Sequence, residues 1–247
     1  MNSLVPAPPH DDRLPRYHRV RDVLAAEIAA HKWRPEEALP AEAALAQSHG
    51  VSIGTIRKAV DSLVADGVLE RFQGKGTFLR RPDFQSSLFR FFRHLSADGT
   101  ARVPESRILK RDEAPMPAIV AGALNRPAGT PAIRLLRLRS LDGRPLVVED
   151  IFLPRDRFKP LLTIDPREFG DLLYPLYEQY CGVLVTSARE TLSAETVSAR
   201  HAKLLDLAAG APVIVIERVA LGVDRQPLEW RQSRGAADQF RYQVEIR

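Results

Sequence analysis

Two groups of residues carry donors at spacings suited to binding anions. The first is Ser52, Gly54, Thr55, Arg57 and Lys58, followed by Gly74-Lys75-Gly76-Thr77. Hydroxyl, guanidinium and ammonium groups at this density match phosphate oxygens and base edges, and the two glycines beside Lys75 let main chain approach a phosphodiester closely. The second group is Arg137 and Arg139, with Glu149 downstream. Arginine binds carboxylate or phosphate through paired N–H donors, so these residues mark either a partly enclosed anion or polyol site or a set of ion pairs with Glu149, Asp150 or Glu229.

The first group needs a helix and a hairpin to hold it. Gly50 closes a short helix predicted from about Ala41 to His49, because a helix C-terminus favours a left-handed residue. Ser52 opens the next helix as its N-cap, and Ile56, Val60, Leu63 and Val64 form one apolar stripe at i, i+4, i+7 and i+8. That stripe faces a core, which turns Thr55, Arg57 and Lys58 outward. Gly67 ends the helix, and Val68-Leu69 and Thr77-Phe78-Leu79 pair around Gly74-Lys75-Gly76. Helix, turn, helix and hairpin in this order describe a winged helix, whose second helix lies in the major groove of DNA. Gly74-Lys75-Gly76-Thr77 also has the ending of a nucleotide-binding P-loop, but the upstream glycine is missing and a strand follows where a helix is required.

Composition narrows the alternatives. A chain of 247 residues exceeds the usual single-domain size. One cysteine, Cys181, excludes an internal disulfide framework and fits a reducing cytoplasm. The six histidines show no metal-ligand spacing, no apolar run is long enough to span a membrane, and no cofactor motif is present. Met1–Asp12 lacks the basic start and apolar centre of a signal peptide, so residues 1–13 are expected to form a disordered tail. The net charge of +5 is unevenly placed: residues 1–83 hold 12 Lys/Arg against 11 Asp/Glu, whereas residues 51–81 hold six against three. The positive footprint is local to the helix and wing.

After Arg80-Arg81-Pro82-Asp83 the pattern changes, and a linker over 82–87 separates the winged helix (14–81) from a second domain (88–247). That second domain contains an internal echo. Leu124, Gly129, Pro131 and Arg137 recur 81 residues later as Leu205, Gly210, Pro212 and Arg218. Each copy reads as a helix end, a Gly-x-Pro turn and two strands around a polar turn, which predicts one antiparallel sheet. A last strand is expected through Phe240, Tyr242, Val244 and Ile246. By period two, Ile133, Leu135, Arg137 and Arg139 share a strand face opposite to Arg134, Leu136 and Leu138, and neighbours such as Glu149 and Asp150 point to opposite sides. The fold class is therefore α+β.

The first domain resembles the GntR family of bacterial transcription regulators in Leu39-Pro40-Ala41-Glu42, Gly50-Val51-Ser52, Thr55-Ile56-Arg57, Leu63, Gly67-Val68-Leu69 and Gln73-Gly74-Lys75-Gly76-Thr77-Phe78. Of three arginines that the family places on operator DNA, Arg57 is present, while Ala43 and Ile53 occupy the other two positions. The span from about Leu88 to Arg247 is similar to the effector-sensing UTRA domain of the HutC subfamily, with its chorismate-lyase-like fold. That resemblance carries an effector pocket onto Arg137, Arg139, Pro145 and Glu149, and matches Glu229 and Asp238 to recurring acidic positions. Gly235-Ala236 and Leu172 stand where polar residues are usual, which places an organic acid or other metabolite beside a sugar derivative as effector.

These readings converge on a DNA-binding regulator, expected as a homodimer on an inverted-repeat operator and as a repressor released by a small molecule. An enzyme of chorismate-lyase-like fold is the rival: no serine or cysteine has a motif-defined base, so catalysis is not expected. A second rival is a DNA-binding protein whose C-terminal domain only dimerises. An architectural binder without a sensor would not need some 160 further residues.

Overall fold

A computed structural model of the protein describes residues 15–30, 32–34, 37–80 and 103–240. The expected tail over 1–13, the linker over 82–87, and Tyr242, Val244 and Ile246 lie outside the described residues. The chain forms two compact units, Met1–Arg80 and Arg81–Arg247.

In the first unit three helices, α1 (Arg16–Ala29), α2 (Glu42–His49) and α3 (Ile53–Ala65), precede a hairpin of β1 (Leu69–Phe72) and β2 (Gly76–Leu79). Leu24 and Ile28 of α1 and Ile56, Ala59, Val60 and Leu63 of α3 are nearly or wholly buried, together with Leu45 of α2 and Leu69 and Leu79 of the hairpin. The apolar stripe of α3 is thus spent on a core, and its opposite side is left to solvent. Gly50 takes φ 61° at the end of α2, and the Ser52 hydroxyl accepts the Thr55 N–H at 3.2 Å to open α3. The strands reach further than expected: β1 extends to Phe72, and Gly76 pairs with it inside the ladder.

The second unit is one six-stranded antiparallel sheet. Its strands are β3 (Glu105–Pro115), β4 (Pro131–Leu141), β5 (Arg144–Pro154), β6 (Val185–Thr196), β7 (Pro212–Gly222) and β8 (Pro227–Ala236), in the order β3-β4-β5-β8-β7-β6. The sequence echo is built into this order. Helix α4 (Ala118–Ala123) lies between β3 and β4, and α7 (Ala199–Leu205) lies between β6 and β7. Each copy is strand, helix and hairpin, and the two copies meet where β5 pairs with β8. The outer strands β3 and β6, which periodicity did not single out, complete the repeat. The spacing also changes within it: Pro131 at the start of β4 matches Pro212 of β7, but Pro145 of β5 matches Pro227 of β8, one residue later, because the second hairpin turn is longer.

The two sheet faces are covered differently. On one, α4 and α7 pack Val120, Ala121, Leu124, Ala202 and Leu205 over Phe152, Trp230, Leu136, Leu138 and Val148. On the other, the short helix α5 (Arg155–Phe158) and helix α6 (Leu173–Cys181) bring Phe158, Leu173 and Tyr177 onto Ile133, Leu135, Ile151 and Leu153. Cys181 ends α6 as a free, half-buried thiol packed on this core. Burial pushes its pKa up to about 11, as an inert packing residue would show. Phe240, the one described residue of the expected last strand, packs on Leu146, Val147 and Ile216 and belongs to no strand.

A Cβ added at Gly50 would meet nothing within 4 Å, so substitution there tests backbone strain alone. Gly50→Ala should destabilise the first unit by about 1 kcal/mol, the cost of a left-handed non-glycine residue. Urea unfolding followed by Trp33 fluorescence in a Trp230→Phe background reads this; an unchanged midpoint contradicts it.

Candidate DNA interface and effector site

On the first unit Ser52, Gly54, Arg57, Lys58, Gly74, Lys75 and Gly76 are exposed, and Thr55 and Thr77 are half-buried. The Thr55 hydroxyl shares a hydrogen bond with that of Ser52 at 2.9 Å. Arg57 reaches back to Glu42 of α2, Nε to Oε2 at 2.9 Å, and its side chain remains 61% exposed. Exposed pairs of this kind contribute little stability. The same Glu42 takes Arg71 of β1 at 3.1 Å, and Arg71 also contacts Asp61 of α3 at 2.5 Å. Arg71 thereby ties the wing to the reading helix, a role its place in the charge count could not reveal.

On the second unit, the sheet face that carries α6 also holds a buried charged cluster. Arg137 on β4 donates from Nε to Glu149 Oε2 on β5 at 2.5 Å. Glu149 also accepts from the Ser233 hydroxyl at 3.2 Å and from Arg231 Nη1 at 3.5 Å, both on β8. Arg231 donates to Glu229 at 2.8 Å, and Glu229 accepts from the hydroxyls of Tyr177 at 2.6 Å and Tyr174 at 3.3 Å. Arg231 lies over the Tyr174 ring, 5.4 Å from its centre. Beyond it on β7, Arg218 contacts the Tyr174 hydroxyl and pairs with Glu190 of β6.

Strand alternation thus brings Arg137, Arg139, Glu149 and Glu229 onto one face, where all four are buried. Asp238 does not join them in the interior: it is exposed on the one-turn 3-10 segment Ala237–Gln239 after β8. Asp150, next to Glu149, points to the opposite face and meets Arg134 at 2.9 Å and His201 of α7 at 3.1 Å. Arg231, Ser233, Tyr174 and Tyr177 escaped sequence reasoning. One signal was present: Glu149 and Arg231 occupy matching places in the two copies once the longer turn is allowed for, as do Arg137 and Arg218.

The electrostatics of the cluster are set by burial and by charges from several strands. Burial alone would raise the Glu149 pKa, but Arg137, Arg231 and Arg139 outweigh it and hold the carboxylate ionised well below the ordinary range. Burial and the neighbouring Arg137, with Arg231, press Arg139 down to about 10, against partial relief from Glu149 and Asp171. Arg139 has a hydrogen bond to the carbonyl of Pro104 at 3.2 Å. Among the described residues Arg137 Nη1, Arg139 Nε and Arg231 Nε are buried without a hydrogen-bond acceptor. Buried guanidinium donors that lack acceptors are costly, and a bound anion would supply what they lack.

A groove-reading helix with a wing, joined in one chain to a sheet that buries surplus arginine donors, defines a ligand-sensing DNA-binding regulator. Comparison with known proteins agrees: residues 16–79 match the family described as bacterial regulatory proteins, gntR family, and residues 100–241 match the UTRA domain. The chain belongs to the GntR regulators that carry a UTRA domain, and is a transcriptional regulator rather than an enzyme. It is 29% identical to the histidine utilization repressor of Klebsiella aerogenes, over 85% of this chain and 86% of that one. It is 25% identical to the transcriptional repressor NagR of Bacillus subtilis, over 83% and 84% respectively. The crystal structure of PhnF from Mycobacterium smegmatis shares the fold with a TM-score of 0.54 at 24% identity, covering 92% of this chain and 99% of that one. No helix among the described residues is long and apolar enough to cross a membrane.

The carboxylates make this unit acid-sensitive. Glu149 and Asp150, the latter pushed down to about 2 by His201 and Arg134 against the opposing effect of burial, both titrate lower folded than unfolded. Their stabilisation is complete above the unfolded values of about 4 and is lost as pH falls toward the folded ones. Acid unfolding followed by near-UV circular dichroism should therefore begin below pH ~4. Glu149→Gln should flatten that pH dependence and lower stability at neutral pH by leaving Arg137 without its counter-charge.

Proposed function

We propose that the protein is a metabolite-responsive repressor whose affinity for operator DNA falls when an anionic small molecule binds beside Arg137, Arg139 and Arg231. The observation that carries this reading is the set of buried guanidinium N–H donors without acceptors. A sheet that served only to dimerise would gain from apolar residues at these positions, which weighs against the rival assigned to this domain. The two relatives named above are both described as repressors, which supports repression as the direction of control. The effector class is an organic acid, a sugar derivative or another metabolite bearing a carboxylate or phosphate, with Glu149 and Glu229 available to accept from its hydroxyls.

On DNA, the protein acts in the cytoplasm as a homodimer on an inverted repeat, its two recognition helices about one helical turn apart. Arg57 exchanges its weak pair with Glu42 for a base edge or phosphate, Lys58 and Lys75 contact phosphates, and Ser52, Thr55 and Thr77 supply hydroxyl donors. Gly54, Gly74 and Gly76 let the backbone come close. Effector binding favours a sensor conformation that shifts the two winged helices through the segment after Leu79. A coupling of about 1 to 3 kcal/mol changes occupancy roughly five- to 150-fold.

Two substitutions separate the sites. Arg57→Ala should weaken operator binding by about 1 to 3 kcal/mol in fluorescence anisotropy without altering the effector response. Arg139→Gln should leave operator affinity near that of the parent chain and abolish release by effector. Arg139 suits this test better than Arg137, whose loss would leave Glu149 buried opposite a missing partner. Retained release by effector in Arg139→Gln contradicts the assignment.

A further inference from the structure

The first turn of α3 carries an apolar side chain in an exposed position. Ile53 continues the spacing of Ile56 and Val60, yet those two are 0% and 2% exposed while Ile53 is 46% exposed. It is the first residue of the helix, directly after the Ser52 cap. The N-terminal residues of a helix laid in the major groove are those that reach base edges. The exposed residues with side chains in the same turns are polar: Ser52, Arg57 and Lys58. The next residue, Gly54, has no side chain, and a Cβ there would meet nothing nearer than Ser52 Oγ at 3.9 Å. The surface beside Ile53 is therefore open enough for a base edge to come into contact.

We propose that Ile53 reads the 5-methyl group of a thymine in each operator half-site. This rests on α3 being the DNA-reading helix. The argument is one of chemical complementarity. Base pairs present donors and acceptors in the major groove, and the thymine methyl is the apolar feature among them. An isoleucine can satisfy no donor or acceptor, and facing any other edge it would displace water without replacing its hydrogen bonds. Ile53 therefore fixes an A·T pair at one position of the half-site, while Arg57 and Lys58 supply affinity and the remaining recognition.

The test begins with selection of binding sites from random duplex DNA by the full-length protein and by Ile53→Ala. Each thymine in the selected site is then replaced singly by deoxyuridine, which removes only the methyl group. At one thymine per half-site the replacement should weaken the parent protein about four-fold, as expected for one buried methyl-sized group, and should leave Ile53→Ala unaffected. The Ile53→Ala selection should lose its thymine preference at that position and keep the others. Because Ile53 is exposed, its thermal midpoint should match the parent's, so weaker binding cannot be ascribed to unfolding. If every deoxyuridine changes both proteins equally, the methyl contact is excluded and the proposal falls. If Arg57→Ala and Ile53→Ala both select the parent site with the parent's affinity, the assignment of α3 fails and the methyl contact with it.

Discussion

The sheet unit is organised around one buried carboxylate. Glu149 sits fully enclosed on β5 and is bound from both sides, by Arg137 on β4 and by Arg231 and Ser233 on β8. An ionised carboxylate in such a place is tolerable only with cations and hydrogen-bond donors around it. Those cations must themselves be buried, and they draw on acidic groups from other elements in turn. Glu229, held by Tyr174 and Tyr177 of α6, answers Arg231, whereas Arg139 hydrogen-bonds a main-chain carbonyl and feels Glu149 and Asp171 through space. A charge network of this kind gains less stability than an apolar core of the same volume would. What it provides is a fixed set of guanidinium donors, three of whose N–H groups make no hydrogen bond among the described residues.

The duplication explains how such a network arises in the middle of the sheet. Two strand–helix–hairpin copies meet along β5 and β8, so corresponding residues of the two copies lie near each other at the join. Glu149 and Arg231 correspond, and they differ in sign. Arg137 and Arg218 correspond too, and each found an acidic partner, Glu149 for one and Glu190 for the other. On the opposite face α4 and α7 add aliphatic side chains to cores drawn from strands of both copies.

The reading helix works by the opposite logic. Its buried side is conventional, and its exposed side makes only weak commitments before DNA arrives. Arg57 and Arg71 share Glu42, and Ser52 and Thr55 share one hydrogen bond. Partners so exposed can be exchanged for phosphates and base edges at low cost. Glu42 thus orients Arg57 through a pair that is exposed and weak.

The sequence alone determined the winged helix and the sheet's strand faces, because both follow from local rules. A left-handed glycine at position 50, a serine cap at 52 and an apolar period of 3.6 define α3 without reference to anything distant, and period-two alternation put Arg137 and Arg139 together and sent Glu149 and Asp150 apart. The 81-residue echo gave both hairpins, though its one-residue slip in the second turn hid the match between Glu149 and Arg231. Only the tertiary structure decided which charges meet. Arg231, Ser233, Tyr174 and Tyr177 come from strands and helices far along the chain, and their convergence depends on β5 pairing with β8 rather than with its sequence neighbour β6. Burial was equally beyond the sequence: the same arginines on a wet surface would be ordinary ion pairs, and it is their removal from water that makes each N–H group without an acceptor costly.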